Sequence, residues 1–193
     1  MSHIRTVAVF CGAQPGDDPI FRAQARSLGE GLAARHITLV FGGGRVGLMG
    51  AVADGALEAG GDVIGVIPEF LTRLEVAHEG VPDMLIVDSM HTRKRLMFEL
   101  SDAFVSMPGG LGTLDETIEI ITWRQLGLHD KPVLICDVDG SAAPMLAMMD
   151  HAIGRGFARP EIRRLWERHD GVPAVLARLE TLGQPHEADA ARL

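Results

Sequence analysis

Apolar residues in this chain fall into short unbroken runs separated by longer stretches of helical periodicity. Thr6–Phe10, Thr38–Phe41, Asp62–Val66, Met84–Val87, Ala103–Met107 and Pro132–Cys136 read as strands. Ile20–Arg35, Leu48–Ala59, His91–Leu100, Leu114–Leu126 and Pro144–Arg155 read as the helices between and after them. Strands without polar alternation are buried on both faces, which calls for a parallel sheet with helices on each side. Right-handed crossovers then give an α/β fold, a Rossmann-like doubly wound sheet. No linker, repeat or shift in composition divides it, so residues 1–183 are expected to form a single domain. Beyond Pro160 the pattern predicts one or two further helices, Glu161–Arg168 and Pro173–Leu182. The polar tail 184–193 is expected to fray.

Composition narrows the chemistry. With 193 residues, 47% of them hydrophobic, the chain can bury a substantial core. A net charge of −8 argues against a nucleic-acid partner, which needs a basic face to displace counterions. The apolar runs fall far short of the roughly 20 residues that span a bilayer, so no membrane partner is expected. Met1-Ser2-His3-Ile4-Arg5 leads into a strand-like run and not into a signal-peptide core, so the expected location is the cytoplasm. Cys11 and Cys136 are the two cysteines, and they read as reduced thiols.

The most informative stretch is Pro108-Gly109-Gly110-Leu111-Gly112-Thr113-Leu114-Asp115-Glu116, which follows the strand Ala103–Met107. A buried strand there empties into a glycine loop and then a helix. Bare N–H groups in such a loop point at a phosphate, and the helix N-terminus adds roughly half a positive charge. Glu116 lies within a turn of that phosphate position. Thr113 and Glu116 also satisfy a capping box, with Thr at the N-cap and Glu at the third helical position. Three glycines in a row of four exceed what a cap needs, so both readings stand. An ionised carboxylate there acts as a base or stabilises positive charge, and less readily as a general acid.

Two other segments bear on the site. Gly42-Gly43-Gly44-Arg45-Val46-Gly47 formally matches the dinucleotide fingerprint. It follows the second strand instead of the first, however, and the nearest acid, Glu69, comes just after Pro68. Nicotinamide binding, phosphate or ribose binding through Gly43 and Gly44, and a purely structural turn all remain open. Met90-His91-Thr92-Arg93-Lys94-Arg95 sets three cations at a helix start, against the macrodipole. The segment is either a solvated turn or an anion clamp in which Arg93 binds in bidentate fashion.

Cofactor chemistry finds little support. Lys94 and Lys131 are the only lysines, and Lys131 stands at the wrong end of its strand for a pyridoxal-phosphate enzyme. The eight histidines are scattered without HExxH spacing, so no metal site is assigned. Trp123 and Trp166 read as packing residues.

The motif pair Met90-His91-x-Arg93-Lys94 and Pro108-Gly109-Gly110-x-Gly112-Thr113-x-x-Glu116 resembles the Lonely Guy family of cytokinin-riboside-monophosphate phosphoribohydrolases. The likeness extends through Ile121-Thr122-Trp123-x-Gln125-Leu126-Gly127-x-His129-x-Lys131-Pro132 and covers roughly residues 5–155. It implies hydrolysis of the N-glycosidic bond of a purine nucleoside 5′-monophosphate, giving free base and ribose 5-phosphate. The resemblance makes Arg93 and Glu116 the catalytic pair. It implies nucleotide contacts from Glu75, Lys94, the loop of Gly109, Gly110, Leu111, Gly112 and Thr113, and Thr122. It also implies a homodimer without an organic cofactor. A non-catalytic nucleotide-binding sensor or carrier is the alternative. Ala13 and Gln14 stand where a serine-rich turn is commoner in the family, which removes an expected hydroxyl. No residue of the motifs stands out as the acid for the departing base.

Overall fold

A computed structural model describes residues 4–72 and 76–183. Seven strands form one sheet: β1 (Thr6–Phe10), β2 (Thr38–Phe41), β3 (Val63–Pro68), β4 (Asp83–Val87), β5 (Ala103–Ser106), β6 (Val133–Asp137) and β7 (Glu167–Asp170). All six pairings are parallel, in the order β4-β3-β2-β1-β5-β6-β7. The helices are α1 (Pro19–Ala33), α2 (Gly47–Glu58), α3 (Met90–Leu100), α4 (Leu111–Gln125), α5 (Ala143–Gly154) and α6 (Gly171–Gly183).

The central strand shows why two helical layers are needed. Val7 and Val9 of β1 face a core shared with Ala25 and Leu28 of α1, Val52 of α2 and Val175 of α6. Ala8 and Phe10 face the other way, into a core with Met97 of α3, Ile120 of α4 and Met149 of α5. Successive side chains of a strand alternate between faces, so an all-apolar run buries both. The expected three-layer, doubly wound arrangement is the one observed.

The chain builds outward from β1 to β4, then returns across β1 to lay down β5. That reversal puts the topological switch point between β1 and β5, where open α/β sheets bind ligands. Hydrogen bonds hold the two strand ends together: Gly12 N–H donates to Pro108 O at 3.0 Å and Met107 N–H to Phe10 O at 2.8 Å.

Two elements differ from the pattern-based reading. β4 is an edge strand, half exposed along its length, with Ile86 64% accessible. The segment expected as a helix over Glu161–Arg168 is instead a 3-10 turn (Pro160–Leu165) followed by β7. Glu167-Arg168-His169-Asp170 has no strand periodicity of its own. It extends because β6 offers an open ladder and because Arg168 reaches the buried carboxylate of Asp137, with Nε 2.7 Å from Oδ2. Tertiary pairing here overrides local preference. Trp123 and Trp166 pack against the α3–α4–α5 core as expected.

Candidate active site

A cavity of about 560 Å³ opens at the carboxyl ends of β1 and β5. The β1 loop from Cys11 to Gly16 forms one wall, and Pro108 to Thr113 with Asp115 and Glu116 forms another. Phe21, Leu48, Met49, Leu71 and Met90 supply an apolar side, while Arg93 and Ser141 complete the lining.

The wall that carries chemistry is set by where α4 starts. Gly110 is the N-cap and Leu111 the first helical residue, so the helix begins a turn earlier than the pattern Thr113–Glu116 suggests. Thr113 is therefore inside the helix, no side chain caps Gly110, and the capping-box reading of Glu116 falls. Glycine makes the early start possible. A Cβ on Gly109 would lie 2.1 Å from Thr113 Oγ1 and 2.9 Å from Gly12 N. The first amides of α4 have no intrahelical acceptor and make up the positive end of its dipole. Glu116 sits on the same cavity wall, one turn further along.

The 42–47 loop does a different task. Gly42 O accepts from Arg93, Gly43 O from His78 N–H at 2.9 Å, and Gly44 bridges Ala77. At the start of α2, the amides of Leu48 and Met49 both point at Gly12 O, at 2.9 and 3.3 Å. The leading amides of α2, Leu48 and Met49, are thus spent inside the protein. The contacts of this loop are those of a turn that joins β2, α2 and the 77–78 segment. Gly43 and Gly44 do not line the cavity, although Leu48 and Met49 just beyond them do.

Arg93 is 4% exposed, so the solvated-turn reading of its segment fails. Its Nε donates to Val66 O at 3.2 Å and Nη2 to Gly42 O at 2.9 Å, tying the ends of β2 and β3 to the cavity. A guanidinium with two donors committed to backbone carbonyls is built into the wall, which reduces its capacity as a bidentate clamp on a ligand. Lys94 points elsewhere, pairing with Asp115 at 2.6 Å and Glu119 at 3.2 Å between α3 and α4. Burial works against its charge, yet the two carboxylates outweigh that and hold the ammonium above its ordinary range. Thr122 lies further along α4, donating to Ile118 O at 2.7 Å, and does not line the cavity. Glu75 lies outside the described residues.

The site therefore brings together Arg93, Glu116, Gly109, Gly110, Leu111, Gly112 and Thr113, but not Lys94, Thr122, Gly43 or Gly44. Cys11 reports on its electrostatics. Burial pushes this thiol far up, the charge of Glu116 adds to the shift, and Arg93 opposes it. Cys136, also buried, is pushed up to about 12, mainly by desolvation. At pH 8 neither cysteine is expected to react with iodoacetamide until the protein is unfolded in denaturant. Mass spectrometry of the labelled chain checks this.

Comparison with known proteins now bears on what the cavity is for. A cytokinin riboside 5′-monophosphate phosphoribohydrolase of Rhodococcoides fascians is 45% identical over 160 residues, covering 82% of this chain and 81% of that one. One from Arabidopsis thaliana is 41% identical over 192 residues, covering 100% and 89%. The chain belongs to the Lonely Guy phosphoribohydrolase family. As a member of that family it is a hydrolase. A family model described as "Possible lysine decarboxylase" matches residues 49–179. The geometry gives that description no help, because neither lysine lines the cavity: Lys94 is paired between helices and Lys131 donates to Phe98 O at 2.7 Å. Solved structures share the fold. The molybdenum cofactor binding protein of Rippkaea orientalis superposes with a TM-score of 0.71 at 21% identity, covering 95% of this chain and 100% of that one. The Moco carrier protein of Chlamydomonas reinhardtii gives 0.69 at 21%, covering 93% and 98%.

Reading motifs alone missed Ser141 and the apolar wall of this Lonely Guy chain. The signal for Ser141 was present, since it follows a strand whose carboxyl end points at the same side of the sheet. Phe21 and Leu71 carry no motif, and the place of Met90 on this wall, unlike its place in the Arg93 motif, is found only once the chain is folded.

Proposed function

We propose that the protein hydrolyses the N-glycosidic bond of purine nucleoside 5′-monophosphates, AMP or an N6-substituted cytokinin nucleotide, to free base and ribose 5-phosphate. The observation that carries this reading is a carboxylate, Glu116, on a cavity wall one turn from an uncapped glycine-rich helix start.

The first amides of α4 hold the 5′-phosphate, which fixes the ribose against the wall. Cleavage of the bond from C1′ to the base nitrogen builds positive charge on the sugar, and the ionised Glu116 stabilises it. Glu116 also accepts a proton from the attacking water, whose oxygen bonds to C1′. The bonding electrons leave with the base, which takes up a proton from solvent or from the site. Arg93 keeps the ends of β2 and β3 closed behind the carboxylate. The apolar side, with Phe21, Leu71 and Met90, suits the purine face. No organic cofactor enters this scheme. We place the reaction in the cytoplasm, where the reduced state of Cys11 and Cys136 fits, and take the working form to be a homodimer.

The test is a product assay. Purified protein with AMP or N6-prenylated AMP should give base and ribose 5-phosphate in equal amounts by chromatography. Binding of AMP with no product over long incubation would favour a carrier or sensor instead.

A further inference from the structure

Ser141 lies beside the glycine loop, on the β6–α5 connection. It lines the main cavity and also a small recess of about 40 Å³ that runs beside Pro108, Gly109 and Thr113. The connection is built to hold this residue still. Asp139 and Gly140 turn the chain back with φ of 50° and 76°. Ser141 N–H then donates to Val138 O at 3.0 Å, and Ser141 Oγ accepts from Val138 N–H at 3.3 Å. That second bond uses a lone pair of the hydroxyl, so its O–H proton is left to be donated.

The support behind this turn is ionic. Asp137 is 1% exposed, and its Oδ1 accepts from Ala142 N–H at 2.9 Å at the start of α5. A bare carboxylate there would repel an anion in the neighbouring cavity. Arg168 removes that repulsion by donating Nε to Asp137 Oδ2 at 2.7 Å. The arginine comes from β7, the strand whose sequence gives no reason of its own to be extended. The start of α5 is thereby satisfied by protein, the local charge is cancelled, and the Ser141 hydroxyl is left on the cavity that the start of α4 also lines.

We infer that Ser141 is a second arm of the phosphate subsite, donating to an oxygen of the substrate's 5′-phosphate, and that Arg168 is a positioning residue acting through Asp137. This rests on the reading of the cavity as a nucleoside monophosphate site, and it adds a contact outside the two motifs. It predicts that the hydroxyl matters for phosphorylated ligands and not for their unphosphorylated counterparts.

Calorimetry with ribose 5-phosphate and with adenosine separates the possibilities, since ribose 5-phosphate has no bond left to cleave. Ser141→Ala should weaken ribose 5-phosphate about tenfold, the range for a hydrogen bond to a charged group, and leave adenosine unchanged. Ser141→Thr, which keeps the hydroxyl, should restore most of the loss. Arg168→Gln should also weaken ribose 5-phosphate selectively, and adding Asp137→Asn should recover it by removing the uncompensated charge. A Ser141→Ala variant that binds ribose 5-phosphate like the parent, or loses both ligands equally, overturns the inference. An Arg168→Gln loss that Asp137→Asn fails to relieve overturns the part assigned to Arg168. If the parent protein itself binds no ribose 5-phosphate, the nucleotide reading of the cavity falls together with the inference.

Discussion

Glu116→Gln is expected to lower AMP turnover by about 10³-fold, with KM changing little. The substitution keeps the shape of the side chain and removes its charge, so it isolates two tasks. Loss of transition-state charge stabilisation alone costs about 10²–10³ in kcat. Loss of a positioned base contributes about 10²–10⁴, and the two overlap because one group performs both. In the proposed scheme the phosphate is held by backbone amides of α4, which the substitution leaves in place, and this is why binding should survive. Steady-state kinetics with chromatographic detection give kcat and KM separately, and circular dichroism checks the fold. Turnover within a few-fold of the parent enzyme would remove Glu116 from the mechanism.

Arg93→Met should damage both stability and activity. The methionine fills much of the space but leaves Val66 O and Gly42 O without their buried donors. Two hydrogen bonds from a charged group, each worth about 1.5–3 kcal/mol, put the loss at about 3 kcal/mol or more. Arg93→Lys should not restore the parent state, because an ammonium cannot reproduce the planar fork that reaches two carbonyls on different strands. Gly42 enforces the same geometry from the other side, since a Cβ there would lie 2.0 Å from Arg93 Nη2. Urea titration measures the stability, and residual turnover at temperatures where the variant is folded measures the catalytic part. A variant with parent-like stability would show that the carbonyl contacts carry little weight.

The sheet was legible because its inner strands are buried on both faces and so read as plain apolar runs. β1 and β2 fall where the pattern puts them, residue for residue. β7 was hidden because Glu167-Arg168-His169-Asp170 gains its extended form from partners distant in sequence, β6 and Asp137. The start of α4 was misplaced for a related reason. Thr113-Leu114-Asp115-Glu116 carries a strong local capping signal, but Gly109 and Gly110 let the helix begin sooner. For the site, the glycine loop, Arg93 and Glu116 were visible as motifs. Spacing could not reveal that Lys94 would turn to Asp115 and Glu119, or that Arg93 would spend donors on the backbone. Those outcomes depend on which helix packs beside which.

Six helices flank the sheet, and five of them are already plugged at the start: α1 by Asp18, α2 by the Gly12 carbonyl, α3 by Ser89, α5 by Asp137 and α6 by Gln24. At α4 no side chain caps the start. In the proposed reaction the substrate's anionic end thus finds its mooring already vacant, with no protein group to be displaced before it ties up.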